Sequence, residues 1–268
     1  MRFKIRCSAI GTLMAGKLGL TEKQYNRLVE LKARRLNGKK PLTPNMKHEL
    51  AELEHKNDNP QLPQGAKTYI EQWVKEQLYQ RQSFKGNKFT DKGLLVEDES
   101  IDFVANVLNY PMLVKNEKHY ADDYITGTPD IVLPNEVIDV KNSWDFSTFP
   151  IFNMSVPEKG YWWQGQGYMH LTGKTNYKLI YTLMDTPIHL VEADHRAYCF
   201  RNGYDVDDTE VWNKIVEQSS YGNIDKKLRY KAFYFEYSSQ AIEEVISRVK
   251  LAQNYVDELL TFIGENDG

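Results

Sequence analysis

Cysteine is scarce in this sequence. Cys7 and Cys199 are the two cysteines among 268 residues. Two thiols cannot build a four-cysteine zinc or iron–sulfur site within one chain, and such sparse use of cysteine fits a reducing compartment. We therefore expect buried, inert thiols rather than catalytic ones, and a cytoplasmic protein.

Long apolar runs and the common small-molecule motifs are also missing. No run approaches the length of a membrane span, and the N-terminus lacks the apolar core of a signal peptide. We therefore expect no membrane partner. The sequence has no phosphate-binding glycine loop, nucleophile elbow or dinucleotide fingerprint, which makes an enzyme acting on a small molecule a poor third choice.

Positive charge is not in excess overall, but it is unevenly distributed. The net charge is −3. Residues 1–56 carry 13 Lys/Arg and 5 Asp/Glu, a balance of +8, and the rest carry 21 and 32, a balance of −11. A basic segment on an acidic body favours a local polyanion-binding face. The alternative is a solvated pair of helices.

Apolar periodicity and turn residues predict an α/β protein with an N-terminal helical lobe. We expect lobe helices that begin at Ser8, Thr21 and Pro44, another over 66–82, and a polar connector over 83–89. Residues 187–200 are ambiguous between helix and strand. The domains are predicted as a basic lobe, 1–89, and a core with a C-terminal helix, 90–268. Within the core, the predicted elements are a helix from Thr90 or Asp91 to about Leu108, a strand over 176–184, a helix over 207–219, a strand over 230–237 and a helix over about 240–263.

Residues 127–141 predict a β-hairpin with two acids and a lysine on one face. Pro134 and Asn135 are turn formers between apolar runs. A turn centred there pairs residues whose numbers sum to 269, so Asp130 faces Asp139. Lys141 shares that face because strand side chains alternate. Facing acids repel each other, and a divalent cation would explain them; the alternative is a solvated surface hairpin.

Glu97 falls within a predicted apolar stripe of Leu94, Ile101, Val104 and Leu108. A buried carboxylate needs a cation, either a metal or a basic side chain. Both alternatives stay open at this point.

Residues 161–169 predict a helix that carries two glycines, Gly165 and Gly167. Glycine costs a helix about 1 kcal/mol relative to alanine, so another group is expected to approach the backbone there. Gln164 and Tyr168 share one helix face. The alternative is a packed aromatic helix without a role in a site.

Three motifs together resemble the PD-(D/E)XK nucleases. The hairpin presents Pro129-Asp130 and, after eight residues, Asp139-Val140-Lys141. Gly93-x-x-x-Glu97 resembles the first-helix motif of RecB-like and lambda-exonuclease-like members. Gln164-x-x-x-Tyr168 resembles their closing motif, and the surrounding sequence is close to the YqaJ-like form of that motif. If the register differs, Gln166 rather than Gln164 occupies the motif position. The resemblance implies a restriction-endonuclease-like core, a central mixed sheet flanked by helices.

The resemblance also implies the chemistry and the partners. Mg²⁺, for which Mn²⁺ is expected to substitute, would be held by Asp130, Asp139, the Val140 carbonyl and Glu97, with Lys141 and Gln164 completing the catalytic set. Ser8, Arg34, Arg35 and Tyr168 are the candidate DNA contacts. The implied function is a DNA exonuclease of phage-type recombination or repair, acting on duplex ends in bacterial or phage-infected host cytoplasm. A single-strand annealing protein and a homo-oligomer are possible partners. The alternatives are an endonuclease of the same superfamily and a catalytically silent DNA-binding protein.

Overall fold

The structure is a computed structural model that describes residues 1–37, 41–83, 86 and 88–265. It divides into two compact units. Unit 1 comprises residues 1–5, 9–82 and 243–268, and unit 2 comprises residues 6–8 and 83–242. This division groups residues 243–268 with the N-terminal helices, whereas the sequence-based boundary grouped them with the core. The boundary at residue 89 stays a prediction, and part of the predicted connector over 83–89 lies outside the described residues.

Among the described residues, unit 1 contains four helices that precede residue 83, and two of them begin where the sequence predicted, directly after Thr21 and at Pro44. Thr21 Oγ1 accepts a hydrogen bond from the Gln24 N–H, and Thr43 Oγ1 accepts one from the Met46 N–H, each at 3.3 Å. Such side chains satisfy the free N–H groups at a helix start. The helices are α1 (Ile10–Met14), α2 (Glu22–Asn37), α3 (Pro44–Asp58) and α4 (Gln64–Tyr79).

The predicted N-cap at Ser8 is wrong. Residues Cys7–Ala9 form a 3-10 turn ahead of α1, so Ser8 lies inside a helical turn rather than at its boundary. Ala9 occupies the N-cap position and provides no side-chain cap. The Ser8 side chain is exposed.

Helices α2 and α3 pack through a small leucine cluster and are bridged by ion pairs. Leu28 and Leu31 of α2 are buried against Leu50 and Leu53 of α3. The ion pairs are Arg27 with Glu49 at 2.9 Å and Arg35 with Glu54 at 3.2 Å. Several basic side chains of α2 therefore face acids of α3.

Unit 2 is built on a mixed four-stranded sheet. The strand order is β4-β5-β6-β7, in which β5 and β6 are parallel and the outer pairs are antiparallel. Helix α7 connects the two parallel strands, as such a crossover requires. The elements are the strands β4 (Ile131–Val132), β5 (Glu136–Asn142), β6 (Asn176–Thr182) and β7 (Tyr230–Glu236) and the helices α5 (Lys88–Leu95), α6 (Glu97–Val107), α7 (Lys159–Thr172), α8 (Ile188–Asn202) and α9 (Thr209–Gln218).

A smaller sheet has the order β1-β3-β2, and a long helix ends the described chain. The remaining elements are β1 (Ile5–Arg6), β2 (Tyr120–Ala121), β3 (Ile125–Gly127), a 3-10 helix at Lys226–Leu228, and α10 (Ser239–Glu265). Residues 187–200, ambiguous in sequence, form most of α8. The predicted α/β class with a central mixed sheet flanked by helices is confirmed. Across the described residues, no helix is both long enough and apolar enough to span a membrane.

The single helix predicted over residues 90–108 is wrong. The chain breaks at Val96 into α5 and α6. Leu94, expected in the buried stripe, is 68% exposed, whereas Lys92 is buried. Lys92 Nζ donates to the Trp144 carbonyl at 2.7 Å and lies over the Trp144 ring at 5.8 Å. These partners make a lysine the inward residue of α5.

The rest of the predicted stripe lies in the core. Ile101 and Val104 of α6 pack with Ile138, Val140 and Ile180 of the sheet. Ile138 and Val140 therefore point to the face opposite Asp139 and Lys141, as the alternation in β5 predicted.

Candidate active site

The hairpin register agrees with the sequence prediction. The Leu133 N–H donates to the Glu136 carbonyl at 2.9 Å across the turn. Ile131 pairs with Ile138 and Val132 with Val137, and both pairs sum to 269. Asp130, immediately before β4, therefore lies opposite Asp139.

Asp130, Asp139 and Lys141 form a charged cluster in which Asp139 is fully buried and Asp130 and Lys141 are half-buried. Asp139 is 0% exposed, and its Oδ2 forms an ion pair with Lys141 Nζ at 2.5 Å. Asp130 Oδ2 accepts the Val140 N–H at 2.9 Å. The hairpin thus brings together both predicted acids and the predicted lysine.

Burial and mutual repulsion shape the charge of this cluster. Burial, followed by the charge of Asp139, raises the pKa of Asp130 to about 7, against the opposing effects of Lys141 and the Val140 N–H. Burial alone would lower the pKa of Lys141, but the charges of Asp139 and Asp130 outweigh it and raise that pKa above its ordinary value. Lys141 is therefore a persistent cation at neutral pH.

Helix α7 places Gln164 and Tyr168 against the same cluster. Gln164 Nε2 donates to Asp139 Oδ1 at 3.4 Å and to Tyr168 Oη at 3.0 Å. Tyr168 is only 5% exposed. Its hydroxyl is thus part of the buried network, and its role as a DNA contact stays a prediction. Gln166, the alternative register, instead donates to the Glu236 carbonyl at 2.8 Å.

The helix glycine beside Gln164 has the close neighbour that the sequence predicted. A Cβ atom on Gly165 would lie 2.4 Å from the Tyr177 ring. Glycine is therefore required for α7 to pack this closely on β6. At Gly93, in contrast, a Cβ would have no neighbour within 4 Å in the described chain.

Two tyrosines and a lysine near the cluster were not found from the sequence. Lys141 Nζ lies 5.3 Å from the centre of the Tyr161 ring. Burial, then the charge of Asp139, raises the pKa of Tyr177 well above its ordinary value. Tyr161 and Tyr177 come close through helix and strand packing, and no local pattern marks them. Lys115, the third, pairs with Glu97.

Glu97 is not a core residue. It is the first residue of α6, its side chain is 21% exposed, and Lys115 Nζ contacts its carboxylate at 2.6 Å. The basic partner left open in the sequence is thus Lys115, eighteen residues away. Glu97 still adds to the field that raises the pKa of Asp130.

The remaining predicted DNA contacts are Ser8, Arg34 and Arg35. Ser8 is exposed in unit 2. Arg34 and Arg35 occupy the last turn of α2 in unit 1, where Arg35 pairs with Glu54 at 3.2 Å. Their contacts with DNA stay predictions.

The buried polar atoms fit a cation with oxygen ligands. The Tyr177 hydroxyl is buried and has no well-aligned hydrogen-bond partner within the described chain, and the equally buried Asp139 Oδ2 contacts the Lys141 ammonium there. Two converging carboxylates, one with a raised pKa, are the donor set that Mg²⁺ uses. Over residues 1–37, 41–83, 86 and 88–265, no three His, Cys, Asp or Glu side chains lie close enough to share a metal. Glu97 and the Val140 carbonyl as ligands therefore stay predictions.

Comparisons with known proteins place this site in a recognisable fold. No protein-family model and no curated protein sequence matches the chain. A phage-related exonuclease from Haemophilus somnus 129PT superposes with a TM-score of 0.69 at 22% identity, covering 98% of this chain and 97% of that one. The alkaline exonuclease LHK-Exo from Laribacter hongkongensis superposes with a TM-score of 0.58 at 10% identity, covering 98% and 93%. Its complex with dAMP gives a TM-score of 0.55 at 11% identity and the same coverage.

Each of these three comparisons covers 98% of this chain. The resemblance that the three motifs indicated is confirmed at the level of fold. The chain has the fold of the phage-related and alkaline exonucleases.

Proposed function

We propose that this protein is a Mg²⁺-dependent deoxyribonuclease that hydrolyses phosphodiester bonds from duplex DNA ends. The observation that carries the proposal is the pair Asp130 and Asp139, which face each other across the hairpin register beside Lys141 and Gln164. The proposal is supported by the fold, because two structures of similar fold are described as exonucleases.

Asp130 and Asp139 would hold the cation, with the Val140 carbonyl and Glu97 as further ligands. When bound, such a cation polarises a phosphoryl oxygen and lowers the pKa of a bound water. Mn²⁺ is expected to substitute. For Glu97 to join the ligands, its carboxylate would have to leave Lys115, which contacts it at 2.6 Å.

Lys141 would offset the charge of the scissile phosphate and orient the attacking water. In the metal-free chain its pKa is raised by Asp139 and Asp130, so it is an ammonium there; a bound cation would offset those charges, and Lys141 would then also help to deprotonate the water. Gln164 would position the same water or a phosphate oxygen, because its side-chain amide is fixed by Asp139 and Tyr168.

The proposed substrate is double-stranded DNA with a free end. LHK-Exo has been crystallised with dAMP, which supports a nucleotide-binding site in this fold. The proposed setting is phage-type recombination or repair in the cytoplasm, together with a single-strand annealing protein and with a homo-oligomer as a possible assembly. Both free cysteines are buried, in keeping with a reducing compartment.

The proposal is tested with purified protein on linear and closed-circular duplex DNA, with Mg²⁺ and with chelator. We expect digestion of linear DNA alone, no digestion in chelator, and a rate reduced at least roughly 100-fold in Lys141→Ala and Asp130→Asn. Nicking of closed circles would identify an endonuclease. Binding without hydrolysis would identify a catalytically silent DNA-binding protein, and full activity in either variant would refute the assigned site.

The same assay tests the predicted end recognition. Linear substrates with and without a 5′ phosphate are compared in the parent and in Ser8→Ala. If Ser8 contacts a terminal phosphate, the preference for phosphorylated ends falls in the variant. An unchanged preference removes Ser8 from the site.

A further inference from the structure

An aromatic groove lies along β7 and the first turns of α7. Its volume is about 570 Å³. We propose that this groove binds a segment of single-stranded DNA. The inference rests on the proposed function, since unwinding or degrading a duplex end produces a single strand beside the active site. The groove is lined chiefly by Trp162, Trp163, Phe233, Phe235, Lys159 and Lys231.

The rings supply surfaces for unpaired bases. Trp162 and Trp163 are neighbours on α7, with ring centres 4.7 Å apart and planes at 80°. Phe235 lies on the outer strand of the sheet and shares a sheet face with Lys231. Every base has a π face, so stacking on such rings tolerates any sequence. A duplex hides these faces, and the groove is therefore suited to a single strand.

The charges of the groove are those expected for a polyanion. Lys159 and Lys231 line it, and none of its described lining residues is Asp or Glu. Lysines that track a backbone beside stacking rings are the usual composition of a single-strand site. Elsewhere the molecule is acidic overall, so this local balance is not a consequence of composition.

Ring and cation contacts run continuously from the active site to the groove. Lys141 lies over Tyr161, whose ring centre is 6.2 Å from that of Tyr181. Tyr181 lies 6.0 Å from Phe233, and Lys231 Nζ lies 5.7 Å from the centre of the Phe233 ring.

The sheet register supports the same continuity. Lys141 pairs with Tyr181, and Tyr181 pairs with Lys231, so these side chains share one sheet face. Two strand spacings separate Lys141 from Lys231, roughly 10 Å. A strand leaving the scissile phosphate reaches the groove within a few nucleotides.

A peptide strand is the competing occupant, because β7 is the last strand of the four-stranded sheet. An exposed edge can pair with another chain. The groove composition favours DNA, since pairing with an edge needs neither two lysines nor a pair of tryptophans. A second copy of this chain is a further candidate occupant, and the oligomeric state of the groove variants distinguishes it from DNA.

The experiment measures binding of fluorescent oligo-dT to the full chain in chelator, where hydrolysis is prevented. Trp162→Ala and Trp163→Ala are each expected to weaken binding by roughly 5-fold to 100-fold, the usual effect of losing a stacked base. The double variant Lys159→Ala/Lys231→Ala is expected to reduce the slope of log K against log salt by about 1.4, at about 0.7 per phosphate contact.

Matched controls separate a groove effect from a general one. Phe200→Ala removes an aromatic ring that is 89% exposed on α8, and Lys214→Ala removes an exposed lysine on α9. Both are expected to bind oligo-dT like the parent. Trp163→Phe retains a stacking face and should recover most of the affinity for oligo-dT that is lost in Trp163→Ala. If Trp163→Ala lost affinity because it misfolds, its thermal unfolding would differ from that of the parent as well.

Parent-like binding in Trp162→Ala, in Trp163→Ala and in the double lysine variant would overturn the inference. Unchanged oligo-dT binding together with an altered oligomeric state would assign the groove to a second copy and would also overturn it. The two proposals fail separately. If the protein hydrolyses linear DNA but the groove variants bind oligo-dT like the parent, the nuclease proposal stands and the groove proposal is refuted. If oligo-dT binding depends on the groove but no hydrolysis occurs, only the nuclease proposal is refuted.

Discussion

At the residue scale, the two facing aspartates determine how the site responds to protons. Asp130 keeps its proton to about pH 7 because burial and Asp139 oppose its ionisation. A bound cation would reverse that preference, since opposite charge favours the carboxylate. Protonation, cation binding and stability are therefore linked through one side chain.

This linkage predicts that Asp130 makes the metal-free protein less stable as pH rises from about 4 to 7. In that window the unfolded chain has lost the Asp130 proton while the folded chain retains it, so the free energy of unfolding falls with pH. Asp130→Asn removes the effect. In chelator, the melting temperature of Asp130→Asn relative to the parent should be higher at pH 8 than at pH 5, by the order of several degrees.

The control for this prediction is Asp194→Asn, an acid of α8 that forms an ion pair with Lys88 outside the cluster. It should not show a stabilising effect that grows with pH. If the difference in melting temperature between Asp130→Asn and the parent stays constant from pH 5 to pH 8, the raised pKa of Asp130 is contradicted.

At the element scale, α7 contributes both to the site and to the proposed groove. Gln164 faces Asp139, and Trp162 and Trp163 line the groove. Gly165 lets the helix approach β6 closely enough for Gln164 to reach the cluster, because the Tyr177 ring occupies the space of a Cβ. The position of α7 on the sheet therefore determines the position of the Gln164 side-chain amide.

Gly165→Ala is expected to destabilise the protein by about 1–3 kcal/mol, since the added methyl overpacks the contact with Tyr177. It should also reduce nuclease activity by displacing Gln164. Thermal unfolding and the linear-DNA assay measure the two effects.

Gly160→Ala is the matched control on the same helix. A Cβ there would lie 3.6 Å from Glu158 Oε1, an ordinary contact. Alanine at that position is expected to leave activity unchanged and to stabilise the helix by up to about 1 kcal/mol. Equal effects of the two substitutions would show that helix propensity, and not the Tyr177 contact, requires glycine at 165.

At the scale of the whole molecule, charge is segregated along the chain. Residues 1–56 carry a balance of +8 against −11 for the remainder. Part of this positive charge is paired within unit 1, where Arg27 and Arg35 contact Glu49 and Glu54. These pairs are exposed to solvent and do not change the net charge of the segment.

The segregated charge predicts that duplex binding depends on residues 1–56. Lys23→Glu/Lys47→Glu should weaken binding of linear duplex DNA in chelator and lower the salt slope by up to about 1.8, at about 0.9 per lost phosphate contact. Arg196→Glu/Lys214→Glu, which makes the same charge change on α8 and α9, is the control. If both double variants weaken duplex binding equally, the effect depends on net charge alone and not on residues 1–56.

Local pattern was sufficient for much of the fold because its causes are local. Thr43 before Pro44 specifies the start of α3, and turn residues at 134–135 specify the hairpin register. That register alone placed Asp130 opposite Asp139. Helical periodicity failed over 90–108, where Lys92 is held inward by Trp144, fifty-two residues away.

By itself, the sequence determined the α/β class, the hairpin, the facing acids and the shared helix face of Gln164 and Tyr168, since each follows from spacing within one element or one turn. Only the tertiary structure decided that Glu97 pairs with Lys115, that Tyr161 lies under Lys141, and that Tyr177 fills the space above Gly165. These contacts join separate elements, and packing of the sheet against its helices, rather than any local propensity, selects them.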